Sequence, residues 1–122
     1  MNRERTLKIV LVVVGLLFIA GVIPLTMFFS REPAVPMIMS IYVTLGIFLL
    51  LAVRDPVANR SLIAFGGWAN LAHAAVMAAQ EYRNVIERRE LAGVVVFAIV
   101  GVVLVALAPA KRSVEKASAV VV

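Results

Sequence analysis

The chain has 122 residues, enough for a single domain. Apolar residues make up 63% of it and mean hydropathy is +1.04, against roughly 45–50% apolar in soluble domains, which excludes an ordinary water-soluble globule. The absence of cysteine excludes disulfides, thiol redox chemistry and cysteine-held metals, and the basic residues behind the net charge of +5 are scattered and form no continuous patch, so no nucleic-acid partner is expected.

Four long apolar runs account for the composition. They predict an all-α membrane protein: a single integral membrane domain over residues 1–122, folded as a four-transmembrane-helix bundle. The expected helices cover about 7–29, 37–53, 62–80 and 91–109, with a basic tail over 110–122. Met1 to Lys8 reads as a short basic arm, with Arg3, Arg5 and Lys8 against Glu4. The first run, Leu7 to Phe29, lacks the short core and small-residue cleavage site of a secretory signal, so it is read as a retained span. Pro24 removes one backbone donor and is expected to bend or thin its last turns.

Ser30 to Pro36 reads as a tight loop in which two prolines stop the helix. The second run, Met37 to Val53, has 17 residues and spans roughly 26 Å at 1.5 Å per residue, just enough to cross. Asp55-Pro56 ends it, and Asn59 or Ser61 is placed to cap the next helix. Leu62 to Gln80 carries no charge and holds the only histidine. Glu81 to Glu90 balances three acids with three arginines; Tyr82, Val85, Ile86 and Arg89 share a helical face, as in a short interfacial helix. The last run, Leu91 to Pro109, is nearly all Val, Ala, Leu and Gly, and a loosely ordered basic tail follows. No internal repeat is visible, and inverted halves are not evident.

Lysine and arginine set the expected orientation. The N-terminal arm, the second loop and the tail together hold eight, against four (Arg31, Arg83, Arg88, Arg89) on the other side. The positive-inside rule then gives an up-down-up-down chain with both termini in the cytoplasm.

Within the third helix, Gly66, Asn70, His73, Met77 and Gln80 recur every three or four residues and make one stripe. Polar groups are costly in hydrocarbon, so the stripe should face protein. The second helix has its own stripe, Met37, Ser40, Thr44, Ile47 and Leu51. In an antiparallel hairpin Thr44 comes level with His73, roughly 10 Å below the outer boundary, which predicts that the two faces pack with hydroxyl-to-imidazole or hydroxyl-to-backbone bonds. Gly66, Gly67 and seven alanines permit close approach on several sides of the third helix, which is therefore expected to be the enclosed one. The fourth helix offers Gly93, Phe97 and Gly101 on one face.

The candidate ligand-binding residues are Thr44, Trp68, Asn70, His73, Met77 and Gln80. An intramembrane imidazole suggests a proton-responsive or ligand-binding group; the plainer reading is a neutral ring that specifies packing, and neutrality is expected for it when enclosed. Asn70 and Gln80 carry the same two readings. Trp68 and Tyr42 are either cofactor-stacking or packing residues. Met27, Met37, Met39 and Met77 map near His73 in the outer half, a thioether and imidazole set suited to Cu(I), against the ordinary use of methionine as gap filler. His73 and Met77 lie one turn apart and cannot be opposite axial ligands of one haem. No cofactor and no catalytic residue is expected. The charged outer loop either recognises an anionic headgroup or partner, or pairs with itself in water.

The segment IYVTLGIFLLLAVRDPVANRSLIAFGGWANLAHAAVMAAQ carries a likeness. Tyr42-x-Thr44-Leu45-Gly46, the turn from Pro56 to Ser61, and Trp68, His73, Met77 and Gln80 resemble the core of an uncharacterised family of small bacterial four-helix membrane proteins. The resemblance implies a multi-pass inner-membrane protein and no activity. The function expected is structural or accessory, through helix–helix contacts with lipid, a second copy or a larger complex. The alternatives are small-ligand or proton-linked transport through the His73 stripe, and haem or copper handling. Transporters of the small multidrug-resistance type resemble one another in a glutamate within the first helix, and Leu7 to Phe29 has no acid. An enzyme would want paired acids, several histidines or an activated serine, so none is expected.

Overall fold

The computed structural model describes residues 2–109, in which every regular element is helical. The elements are α1 (Arg3–Ile19), α2 (Val22–Met27), α3 (Ala34–Ala52), α4 (Arg60–Tyr82), a 3-10 turn at Arg88–Glu90 and α5 (Leu91–Leu107). Four spans, Arg3–Met27, Ala34–Ala52, Arg60–Tyr82 and Arg88–Leu107, are long and apolar enough to cross a membrane. The chain forms two compact units that divide between Ala58 and Asn59. The expected basic tail lies outside the described residues.

Three boundaries differ from expectation for local chemical reasons. The first helix starts at Arg3, inside the supposed arm, because Asn2 caps it: its Oδ1 accepts from the Arg5 amide at 2.8 Å. The first span also breaks at Ala20–Gly21, separating α1 from α2. A proline ring clashes with the carbonyl four residues before it, so Pro24 acts at Ala20, upstream of its own position. Pro36 lies within the first turn of α3, where no intrahelical N–H bond is needed, and Pro33 stands at the cap. Only the first of those two prolines bounds the helix.

In the first unit α1 packs antiparallel on α3. Gly15 faces Gly46, and further along α1 Gly21 approaches Met39 and Val43, earlier in α3. A Cβ on Gly46 would stand 2.7 Å from the Gly15 carbonyl oxygen. Leu7, Leu11, Val14 and Phe18 close on Tyr42, Leu45, Leu49 and Ala52, all buried. The Phe18 and Tyr42 rings meet edge to face at 5.0 Å. Close backbone approach through glycine is the kind of contact that holds helices together where apolar surroundings give no hydrophobic drive.

The second unit is another antiparallel pair, α4 on α5. Gly67 faces Gly101; a Cβ on Gly101 would come 2.8 Å from the Gly67 carbonyl oxygen and 2.7 Å from the Leu71 side chain. Gly93 lies against Met77, and Phe97 against His73, so the 93/97/101 face of the last helix is the one turned to α4. At the other end Arg60 Nε donates to the Pro109 carbonyl at 3.3 Å. Residues 83–87 form a bend, not the expected interfacial helix. Asn84 adopts φ 58° in the left-handed region, which asparagine tolerates, and the Val85 amide returns to the Gln80 carbonyl at 2.8 Å.

Candidate functional site

The polar stripe of α4 divides by depth within its hairpin. Gly66, Asn70 and Ala74 are buried, His73 and Met77 half-buried, and Gln80 exposed. Among the described residues Asn70 is the one polar residue with 0% exposure. Its amide Nδ2 donates to the Gly66 carbonyl one turn back at 2.6 Å, which fixes the amide orientation, since the opposite flip would set two oxygens together. Its Oδ1 accepts no hydrogen bond from any described residue. A buried acceptor in that state is rare in a native fold and asks for a reason.

His73 sits edge-on to Phe97 of α5, with centroids 4.5 Å apart and planes at 70°. This contact holds the ring on the α5 side of α4. Such an aromatic pair contributes about 0.5–1.5 kcal/mol beyond area burial, so His73→Ala should lose about that much in an unfolding titration, and His73→Phe should recover most of it. Equal stability of all three proteins would show that the contact carries no packing energy.

The other candidates separate. Thr44 is exposed on α3 and its hydroxyl donates to the Ser40 carbonyl at 2.9 Å; Ser40 donates to the Met37 carbonyl at 2.7 Å. Both hydroxyls are thus satisfied on their own helix, the usual way a threonine or serine is tolerated there. Met37, Ser40, Thr44, Ile47 and Leu51 all stand exposed along that face. Trp68 is 62% exposed and Phe65 64%. Within its own hairpin α4 therefore has one open side, the one turned away from α5.

Of the methionines, Met27 and Met37 are exposed, while Met39 and Met77 fill space over Gly21 and Gly93. Among the described residues no three of His, Asp and Glu gather as a metal set. In the charged segment 81–90 Arg89 pairs with Glu87 at 2.7 Å and Arg88 with Glu81 at 3.9 Å, the self-paired arrangement. One feature was not legible in the letters: an apolar cleft of about 340 Å³ in the first hairpin, lined by Leu25, Phe29, Pro33, Pro36, Met37 and Ser40. It lies where α2, set off from α1 by the Ala20–Gly21 break, meets the start of α3.

Comparison with known proteins gives one match. The model of a family of unknown function, DUF6632, matches residues 3–121. No curated protein and no solved structure matches the chain.

Proposed function

We propose, for a chain that belongs to the family of unknown function DUF6632, a structural or accessory role in a bacterial inner membrane, exercised through helix–helix contacts and without catalysis. In this reading the four spans run up-down-up-down with both termini in the cytoplasm, following the eight-to-four bias of lysine and arginine. The observation that supports the role is the open side of α4. Phe65, Trp68, Ala72, Ala75 and Ala79 are all exposed, at three- and four-residue spacing along one face. Trp68 lies roughly 12 Å along the helix from Arg60, well inside the hydrocarbon and away from the interfacial belt where tryptophan faces lipid. An aromatic pair followed by alanines suits a close-packing helix, from a second copy or a larger complex.

The chain has no cysteine, so Ala72→Cys introduces a unique crosslinking position. Crosslinking in native membranes should yield a discrete adduct, and Trp68→Ala should weaken it while moving stability by no more than about 0.5 kcal/mol, as for a surface position. A strictly monomeric protein with no adduct at Ala72→Cys would remove the docking reading.

The unpartnered Asn70 acceptor favours a second reading, small-ligand or proton-linked transport through the stripe around His73. A His73→Ala strain that grows and transports like the parent across about pH 5–8 would exclude a proton-linked role for this ring.

A further inference from the structure

The two hairpins follow one plan that the letters hide. Gly15 of α1 corresponds to Gly67 of α4, an offset of 52 residues, and Gly46 of α3 to Gly101 of α5, an offset of 55. The same offsets carry the neighbours across. A Cβ on Gly15 would meet Leu50 at 2.8 Å, and one on Gly67 would meet Val105, its counterpart, at 2.7 Å. Leu11 and Ile63 are equivalent and both 0% exposed; so are Leu49 and Leu104. Leu45 and Val100 match at 9% and 8%. Each glycine carbonyl touches the opposite glycine in both pairs.

The match loosens toward the hairpin ends, where Leu7 and Ala52 are buried and their counterparts Asn59 and Leu107 are half-buried. Among the described residues one pair exchanges a buried hydrocarbon for a buried polar side chain. Phe18, 4% exposed, corresponds to Asn70, 0% exposed. In the first hairpin Phe18 makes the edge contact with Tyr42, at 5.0 Å and 71°. In the second, Phe97 is the counterpart of Tyr42, but its partner ring is His73, one turn beyond Asn70, at 4.5 Å and 70°. The aromatic contact is kept and moved by one turn, to the place that Gly21 holds in the first hairpin. The core position it leaves is filled by an amide. The hairpin packing does not require that amide, since the sister unit fills the same place with a hydrocarbon ring. Local departures of this kind, with a buried acceptor left unpaired by the protein, mark positions held for a purpose other than packing.

We propose that the chain is a tandem repeat of one helical hairpin, and that its second copy carries at Asn70 an internal binding site for a water molecule, which donates to Oδ1. Water is the smallest donor able to reach a buried amide oxygen, and the second Nδ2 N–H stands beside it as a further polar partner. Nδ2 already donates one N–H to the Gly66 carbonyl, and Oδ1 is the side-chain atom with no partner among the described residues. The site stands one turn from the His73 ring. It is independent of the docking role, because it rests on the interior of one hairpin.

The test is water-edited solid-state NMR of the full chain in lipid bilayers. Asn70–Leu71 is the only Asn–Leu pair in the sequence, so carbon labelling of asparagine with nitrogen labelling of leucine assigns Asn70 without a variant. The expected result is rapid transfer from water to the Asn70 side chain, as fast as to Asn84 in the exposed bend, while buried Ala74 stays dry. Asn70→Leu should fold and lose that transfer. A dry Asn70 side chain overturns the site, and so does transfer that spreads equally to Ala74, which reports general hydration. The repeat is read separately. Phe18→Asn should introduce a second water-contacted amide in the first hairpin; a folded variant with that amide dry overturns the equivalence of the two positions, as does one in which the Asn70 signal is lost.

Discussion

Gly101→Ala is expected to destabilise the second hairpin by about 1–2 kcal/mol in a reversible denaturant titration in detergent. Two effects oppose each other. Removing a mid-helix glycine gains about 0.5–1 kcal/mol of backbone entropy, whereas forcing a methyl into a filled contact costs about 1–3 kcal/mol. The atoms met decide between them. The new Cβ would lie 2.8 Å from the Gly67 carbonyl oxygen, a backbone atom that no rotamer change can move away. Gly46→Ala meets the Gly15 carbonyl at 2.7 Å and should behave alike. The two share no contact residue, so the double variant should be additive to about 0.5 kcal/mol. Gly93→Ala is the contrast: it meets only the mobile methyl end of Met77, at 3.2 Å, so the entropy gain should win and stability should hold or rise. If all three variants respond equally, helix propensity and not backbone approach governs these positions.

The Asn70 variants should spread over a wider range. Asn70→Leu gives up one hydrogen bond, a net contribution of about 0.5–1.5 kcal/mol, and removes a buried acceptor whose unmet desolvation costs about 1–3 kcal/mol. The net change is a gain of about 0–2 kcal/mol, nearer zero when water already satisfies Oδ1. Asn70→Asp replaces the donor beside the Gly66 carbonyl with an oxygen and adds a charge near mid-helix, at about 2.5–3.5 kcal/mol on insertion scales. Leucine and aspartate should therefore differ by about 3–5 kcal/mol, measured in the same titration. A leucine variant as unstable as the aspartate one would mean that the Asn70 to Gly66 bond is a structural necessity of α4.

Much of the site was readable residue by residue, and its failures have particular causes. The stripe of α4 was visible as a periodicity, but a periodicity does not say which of its positions a neighbouring helix covers. Contact with α5 buries Asn70, leaves His73 and Met77 at its edge and passes Gln80 by. The Gly93, Phe97 and Gly101 face was legible because small residues at helical spacing have few other uses in a span, and it does meet α4. The bonds of the Ser40 and Thr44 hydroxyls were not legible, because a serine or threonine in a helix can bond its own preceding carbonyl as readily as a neighbour. Pro24 and Pro36 misled in opposite senses: one breaks the helix a turn early, and the other sits where a helix needs no donor.

Length and apolar content by themselves determined that this chain is helical and has four segments able to cross a membrane, because a backbone in hydrocarbon must satisfy its own polar groups and a span needs about twenty apolar residues. Which glycines bring backbones together, which ring Phe97 meets, and that two hairpins of unlike lettering each repeat one pattern of buried positions were decided only by tertiary packing. Those facts depend on distances between helices, and a sequence of interchangeable apolar residues does not record them.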